Sequence, residues 1–441
     1  MGRKCACGAK AIEISLLKPY DIRPALEYDR NLLIKLLNER FGIDEIPEIV
    51  LFNKTGGTDR NDLIIINGER FGWLSFDPYN RKYSIELTQD ALPYILPKIK
   101  RGIVDITEYI RETGRKRLGG KNIPFNSELN DGFVVIKAGK RWGVGNLNNG
   151  KLKIKTLGVI EEKEFKNPDH DEVIKKNKRH LKNLERNAIR LIRSYMDEDT
   201  PVNVSFSGGK DSTVVLELAH RAGVEDVYHV DTGMEFPETV DFVRETGIKK
   251  ILKGADFWRE VRTHDLPRKD DRWCCEKLKL QPVKEWLKNK GRCVTVQGNR
   301  WYESFSRTDL PAASKNPHNS KQLNLSPIRN WRAFEVFLYI WWRELPYNPL
   351  YDKGFERVGC WNCPAMLESE AERNQKLHPE LFGKWQNYLK RWARQNKLQE
   401  DYVRCGLWRW KELPPKMKEL ARANNIKLKE SPPKQIRRSL Q

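Results

Sequence analysis

Two sets of residues in this chain have types and spacings that do chemistry. The first is Ser207, Gly208, Gly209, Lys210, Asp211 and Ser212, which follows the short apolar run VNVSF and precedes a helix-forming run from Thr213 to Ala219. A strand, a Gly-rich turn and a helix N-terminus together make an anion site. Adjacent glycines let the backbone approach a phosphate without a Cβ in the way, the first helical N–H groups point at it, and Ser207, Lys210 and Ser212 add donors. The spacing differs from a Walker A loop, which needs four residues between its glycines. A glycine turn that only starts a helix is the plainer reading; the strand before, the helix after and the run of six residues weigh against it. The second set is Cys274-Cys275 and, far downstream, Cys360-Trp-Asn-Cys363. Four thiolates in two close pairs suit a soft metal centre, either iron–sulfur or structural zinc. Adjacent Cys-Cys is unusual for a zinc ribbon, where two or more residues separate a pair, and this favours iron.

The elements that must position these residues read as an alternation. Strand VNVSFS, a helix, strand DVYHVDT, helix ETVDFVRETG, strand KKILKG, helix LKLQPVKEWLKNKG and strand CVTVQG succeed one another between 201 and about 365. Such alternation predicts an α/β domain with a doubly wound parallel sheet and a ligand outside the carboxyl ends of its strands. Ser205 closes the first strand, and Asp231-Thr232-Gly233 and Gly298-Asn-Arg300 stand at two further strand ends. Three loops are thus expected to converge on one nucleotide-sized crevice.

The rest of the chain divides by pattern. Residues 1–90 read as a small α+β module, with Leu32, Leu33, Leu36 and Leu37 at helical spacing and strands in IPEIVLFN, DLIIING and FGWLSFD. Cys5-Ala-Cys7 looks like half of a zinc ribbon whose other half is missing. Residues 91–160 carry short strands between Gly/Asn turns, a small β-barrel by pattern, and 161–200 form a charged helical connector. From 366 to 441 the chain is helical and interleaves aromatics with Lys and Arg, a composition that stacks on bases, although Trp at helical spacing is more often core. With 81 Lys and Arg against 60 Asp and Glu the formal net charge is +21, large enough to attract polyanions at long range. No apolar run approaches the length of a membrane span and no apolar signal segment opens the chain, so a cytoplasmic location is expected. Eight cysteines in a reducing compartment point to metal or redox chemistry rather than disulfides.

The run SGGKDS resembles the PP-loop of the ATP pyrophosphatase superfamily, whose members bind adenine nucleotides and act at the α-phosphate. Beyond it, VDTGMEFPETVDFV, VQGNRWYESFSR and SPIRNWRAFEVFLYIWWRELPYNPLYDKGFERVGCWNCP resemble segments of the PAPS reductase family, over roughly residues 170 to 410. The resemblance implies a nucleotide site of Ser205, Ser207 to Ser212, Asp231, Thr232, Gly233 and Gly298. It places Arg300 and Arg307 on a sulfonate or phosphate by forked hydrogen bonds. It also implies a [4Fe–4S] cluster on Cys274, Cys275, Cys360 and Cys363, as in the adenylyl-sulfate type of reductase. KAGKRWGVGNLNNGKLKIKTLG is similar to the closing strands of a PUA-like domain, a module found on RNA-modifying enzymes.

In the family's reductases a mobile cysteine near the C-terminus attacks the sulfur of adenylyl sulfate or phosphoadenylyl sulfate, and a thioredoxin-like reductant releases sulfite. Cys405-Gly-Leu resembles that cysteine's motif, with Arg404 and Trp408 where Glu and His are expected. Cys405, with Lys210 and Asp211, is therefore the expected catalytic set, and a helix-end cysteine with a glycine cap is the plain alternative. The intact Lys210, Asp211 and Ser212 suit ATP cleavage equally. Asp211 then either caps the helix or helps hold Mg²⁺ on pyrophosphate. The expected function is a sulfonucleotide reductase; the alternative is an ATP-dependent tRNA-thiolating enzyme that adenylates a base.

Overall fold

The computed structural model describes residues 14–428 apart from 116, 162, 164–166, 289, 305–306 and 317–318, so Cys5 and Cys7 lie outside the described residues. Strands β1 (Ile22–Pro24), β2 (Val50–Lys54), β3 (Asn61–Ile66), β4 (Glu69–Asp77) and β5 (Lys82–Leu87) form an antiparallel meander in chain order. The run LIII in β3 is apolar throughout because both faces are covered. Ile64 and Ile66 pack on Leu33, Leu37 and Phe41 of the helix Glu27–Phe41. Leu63 and Ile65 share the opposite face with Ile22 and Leu51, against which Phe334 of the downstream domain packs.

A second sheet holds β6 (Ile103–Asp105), β7 (Asn122–Pro124), β8 (Gly132–Ala138), β9 (Arg141–Asn148) and β10 (Lys151–Gly158), in the order β6-β8-β9-β10-β7 with β6 parallel to β8. Its two faces meet different partners. Val134, Ile136, Leu147 and Ile154 build a core of their own, while Phe133, Val135 and Val144 complete the core of the first module. The expected boundary at 90/91 therefore runs through a shared core. The helix His170–Arg193 is capped by Asp169, whose carboxylate accepts the Glu172 N–H at 2.6 Å, and it buries Leu181, Ala188 and Ile192 in the core of the next domain.

That domain carries β11 (Val202–Phe206), β12 (Val227–Asp231), β13 (Lys250–Lys253), β14 (Cys293–Val296), β15 (Ala313–Asn316) and β16 (Asn319–Leu325). The order is β13-β12-β11-β14-β16-β15, parallel except for the edge strand β15. The chain steps outward from β11 to β12 and β13, then returns to β14 on the other side. The switch point lies between β11 and β14, and the loops Ser207–Ser212 and Gln297–Arg300 leave it. Beyond 366 the helices Glu368–Leu377, Pro379–Gln395 and Pro415–Ala423 do not stand apart: Trp385, Trp392, Trp408 and Met417 share one core with Phe236, Phe257 and Trp361. The tryptophans at helical spacing are core. Among the described residues no helix is long and apolar enough to cross a membrane.

Candidate nucleotide and cysteine site

The loop after β11 is shaped by two glycines with different tasks. Gly208 takes a left-handed φ of +75°, and Gly209 is the extended N-cap of the helix Lys210–Ala222. Ser212 Oγ donates to the Gly209 carbonyl at 2.8 Å and lies 3.1 Å from Ser207 Oγ, closing the turn on itself. The Lys210 N–H donates at 2.9 Å to the hydroxyl of Tyr351, a residue the motif reading did not single out. Its neighbour Asn348 bonds Thr239 Oγ1 at 2.9 Å, so the segment Asn-Pro-Leu-Tyr ties this loop to the helix Pro237–Glu245. Ser205 sits within β11 and bonds the Tyr228 hydroxyl, which belongs to the sheet rather than the loop.

An unbroken chain of charge runs out of the loop. Lys210 Nζ bonds Asp211 Oδ2 at 2.7 Å, Asp211 Oδ1 accepts from Arg300 Nε at 2.6 Å, and the Arg300 fork closes on both oxygens of Asp21 at 3.1 Å. Burial disfavours the Asp211 charge, but Arg300 and Lys210 outweigh it and hold the carboxyl below its usual range. For Lys210 burial pulls down, Asp211 wins, and the ammonium is raised. This geometry changes two expectations. Arg300 is 2% exposed and its donors are taken by Asp211, Asp21 and the Trp331 carbonyl, so it braces the loop from beneath rather than offering a free fork to a sulfonate. Asp211 does not cap the first-turn amides; each of its oxygens accepts from a cation, Oδ2 from Lys210 and Oδ1 from Arg300. Arg307 is paired with Glu303 one turn earlier. Gly298 is where the two loops touch: a Cβ there would lie 2.9 Å from the Asp211 carbonyl carbon and 3.0 Å from the Ser212 nitrogen.

At the end of β12 the Asp231 carboxylate accepts the Gly233 N–H at 2.8 Å, and Thr232 gives both its N–H and its hydroxyl to Glu235, at 3.0 and 2.6 Å. This loop is in direct contact with the second cysteine pair. Glu235 and Cys360 form an antiparallel bridge, the Trp361 N–H donates to the Met234 carbonyl at 2.8 Å, and Cys360 Sγ lies 3.6 Å from Thr232 Oγ1. Cys274 and Cys275 come to the same place from the helix turn after Arg272, and the four thiols feel one another's charge. Hydrogen bonding from Cys274, then Arg272 and Lys279 against the opposing effect of burial, draws the Cys275 thiol down to about 5. Lys279 is raised, by Cys360 first. Trp273 Nε1 and Asn362 Nδ2, beside and between the cysteines, are buried N–H donors without a hydrogen-bond partner among the described residues. Four soft donors, two flanking cations and two spare N–H groups fit an anionic sulfur-ligated group. The side chains are not drawn in as ligands: among the described residues no set of three or more His, Cys, Asp or Glu stands at metal-holding geometry.

Cys405 lies elsewhere. It follows the helix Glu400–Arg404, is 0% exposed within the core that holds Trp408, Met417 and Ala421, and its sulfur faces the Pro78 carbonyl at 4.0 Å. Burial pushes its thiol up to about 11. Gly406 takes a φ of +68° and a Cβ there would meet Glu368, so the turn is fitted to its surroundings.

Asp21, Tyr351, Glu235 and Lys279 are the site residues that motif reading passed over. Tyr351, Glu235 and Lys279 lie within or just beyond segments already recognised; nothing in the sequence marks Asp21.

Comparison with known proteins follows the same lines. A phosphoadenosine phosphosulfate reductase domain is matched over residues 201–366. The uncharacterized protein MJ0973 of Methanocaldococcus jannaschii is 38% identical over 429 residues, spanning 91% of this chain and 97% of that protein. An adenosine 5'-phosphosulfate reductase of Deinococcus radiodurans is 26% identical over 206 residues, 45% of this chain and 72% of its own length. A phosphoadenylyl-sulfate reductase structure from Candida auris is 22% identical, covers 42% of this chain and 96% of that one, and superposes with a TM-score of 0.34.

Proposed function

We propose that this chain, which carries a phosphoadenosine phosphosulfate reductase domain over residues 201–366 and matches nearly the whole length of MJ0973, is a sulfonucleotide reductase. The observation that carries the reading is the contact between the Asp231–Glu235 loop and Cys360, 3.6 Å from Thr232 Oγ1. A four-cysteine site pressed against a nucleotide loop fits a reductase of the adenylyl-sulfate type. The backbone of Ser207–Ser212 takes the phosphate, Lys210 supplies charge, and Asp211 and Arg300 keep Lys210 in place. A [4Fe–4S] cluster on Cys274, Cys275, Cys360 and Cys363 would supply electrostatic and one-electron chemistry beside the sulfonate, with Lys279 and Arg272 balancing its charge.

The reductive step needs a thiolate. Its sulfur bonds to the sulfonate sulfur, the bond from that sulfur to the phosphate oxygen breaks, and the nucleotide leaves with the electron pair. A thioredoxin-like dithiol then releases sulfite and is itself oxidised to a disulfide. For Cys405 to act, the turn Cys405–Trp410 has to leave its core, because the thiol is buried and protonated where it stands.

That burial favours a second reading, in which Cys405 is structural and the intact loop cleaves ATP. A base carbonyl of tRNA attacks the α-phosphate and pyrophosphate leaves; a sulfide-level donor then adds to the activated carbon and AMP leaves with the former carbonyl oxygen. The +21 charge is consistent with such a substrate.

Anaerobic turnover of the iron-reconstituted chain separates the two. Sulfite from adenylyl sulfate or phosphoadenylyl sulfate with thioredoxin, lost in Cys405→Ser, establishes the reductase. Pyrophosphate and AMP formed from ATP and Mg²⁺ only when tRNA is present, with no sulfite in the other assay, refutes it. Bound metal is read in parallel: about four irons per chain are expected, and one zinc in their place removes the cluster from the account.

A further inference from the structure

The helices Phe257–His264 and Pro379–Gln395 pack through Trp258, Trp385 and Tyr388, and leave an open cleft of about 430 Å³ between their outer faces. Its floor is aromatic. Trp258 and Tyr388 are half-buried with ring centroids 6.1 Å apart, Tyr388 is stacked on Trp385 at 5.6 Å, and Trp392 closes one side. Its rim is cationic: Arg262, Lys384 and Arg391 are exposed, and Lys384 Nζ rests 4.4 Å above the Trp258 ring.

Among the described residues no carboxylate lines this cleft. The acids on neighbouring turns are committed elsewhere, Glu260 to Arg259 and His264, and Asp265 to Arg268 and the Trp392 indole. Three like charges set around half-exposed rings repel one another, and apart from the Lys384 contact with the Trp258 ring the cleft offers them no compensating charge. They become favourable when a polyanion with flat apolar faces enters. A duplex hides its base faces, and an acidic peptide has a flat face only where it carries an aromatic residue, whereas a single strand pairs a base with every phosphate.

We propose that this cleft binds single-stranded nucleic acid, with bases against Trp258 and Tyr388 and phosphates on Arg262, Lys384 and Arg391. The assignment goes beyond the reductase reading and does not depend on which chemistry the loop performs. It is tested on the full chain, without nucleotide, by fluorescence anisotropy of a labelled 12-nucleotide single-stranded RNA across a potassium chloride series.

The triple variant Arg262→Ala/Lys384→Ala/Arg391→Ala is expected to weaken binding at least about tenfold at 0.1 M salt. It should also flatten the plot of log K against log salt by about 2, the release of counterions from three phosphates. The control triple Lys175→Ala/Lys178→Ala/Lys182→Ala removes the same charge from exposed positions on the helix His170–Arg193, and should change affinity by less than about twofold. Tyr388→Leu should lower affinity for the single strand and leave that for a duplex of the same sequence unchanged. Equal losses in the two triples would mean diffuse attraction to a +21 surface and would overturn the assignment. So would a wild-type chain that binds the duplex as tightly as the single strand.

Discussion

Replacing Arg300 by methionine measures how firmly the N-terminal sheet is tied to the nucleotide loop. Methionine keeps roughly the volume and removes every polar contact: the fork to Asp21 at 3.1 Å, the 2.6 Å bond to Asp211 and the 3.2 Å bond to the Trp331 carbonyl. Breaking one side of a buried ion pair costs about 3–5 kcal/mol. Here both carboxylates keep something, since Asp21 still accepts the Ala333 N–H at 2.8 Å and Asp211 still holds Lys210 at 2.7 Å, so about 3 kcal/mol is expected. Asp21→Asn leaves Arg300 one charged partner and should cost about 2 kcal/mol. Because the two side chains share one interaction, the double variant should fall short of the sum by at least about 1.5 kcal/mol. The pH dependence has a definite sign. Asp211 is held below its unfolded value near about 4, so its share of the stability is fully present above that value and is lost as pH falls through the lower, folded one. The gap between wild type and Arg300→Met should therefore stay constant from about pH 5 to 8 and narrow only under about pH 4. Urea unfolding followed by tryptophan fluorescence, compared at equal slope, reads all four proteins. A coupling below about 0.5 kcal/mol would refute the view that Asp21 and Arg300 act as one brace.

Gly298→Ala puts a Cβ within 2.9 Å of the Asp211 backbone and forces the loop helix to shift, so AMP affinity measured by calorimetry should fall about tenfold and the unfolding midpoint should fall with it. Cys405 should resist iodoacetamide at pH 8 in the nucleotide-free chain, as peptide mass mapping would show, because its thiol is buried and raised to about 11. Adenylyl sulfate should speed that alkylation if the turn opens for catalysis, and an unchanged rate would count against the reductase step. Arg60→Met leaves Asp29 and Asp62, now 2.7 and 2.8 Å from the guanidinium, with Arg23 as their remaining partner, and should cost about 3 kcal/mol in the same urea assay. Gly406→Ala combines a left-handed φ with a clash on Glu368, and should destabilise by at least about 2 kcal/mol.

The features legible in the sequence are those made within one turn or one strand. Gly208 and Gly209 declare a tight turn wherever they fold, and the run from Val202 to Ala222 carries strand, loop and helix in consecutive residues. The two cysteine pairs were legible as a set because each pair is local and thiols have few other uses in such a chain. What was not legible depends on partners far away in sequence. A lone Arg300 reads as a free cation, and only Asp21, 279 positions earlier, makes it a buried brace. Cys405 reads as a reactive tail cysteine from its Cys-Gly-Leu motif, and only the arrival of Met417 and Ala421 shows it sealed in a core. The core shared across residue 90 was illegible for a related reason: alternation in β8 shows that Val134 and Val135 face opposite ways, but not that one of those faces meets the preceding module.

The placement of Glu356 explains why the N-terminal sheet cannot be a detachable accessory. Glu356 lies between Tyr351, which receives the Lys210 N–H, and Cys360, which touches the Asp231–Glu235 loop. Burial alone would raise its carboxyl, yet Lys54, Arg23 and Arg60 hold it well below the usual range. All three cations come from the first sheet or the loop beside it. A few residues on, Asp59 accepts the N–H groups of Glu368 and Ser369 at 2.6 and 3.0 Å, starting the helix that follows the cysteine pair. Neutralising Lys54, Arg23 and Arg60 with the sheet in place would leave Glu356 as an unpaired buried charge in the segment that carries Tyr351 to the phosphate loop and Cys360 to the cysteine site. The first sheet is thus part of the site by electrostatic necessity, in the same way that Asp21 is part of it through Arg300.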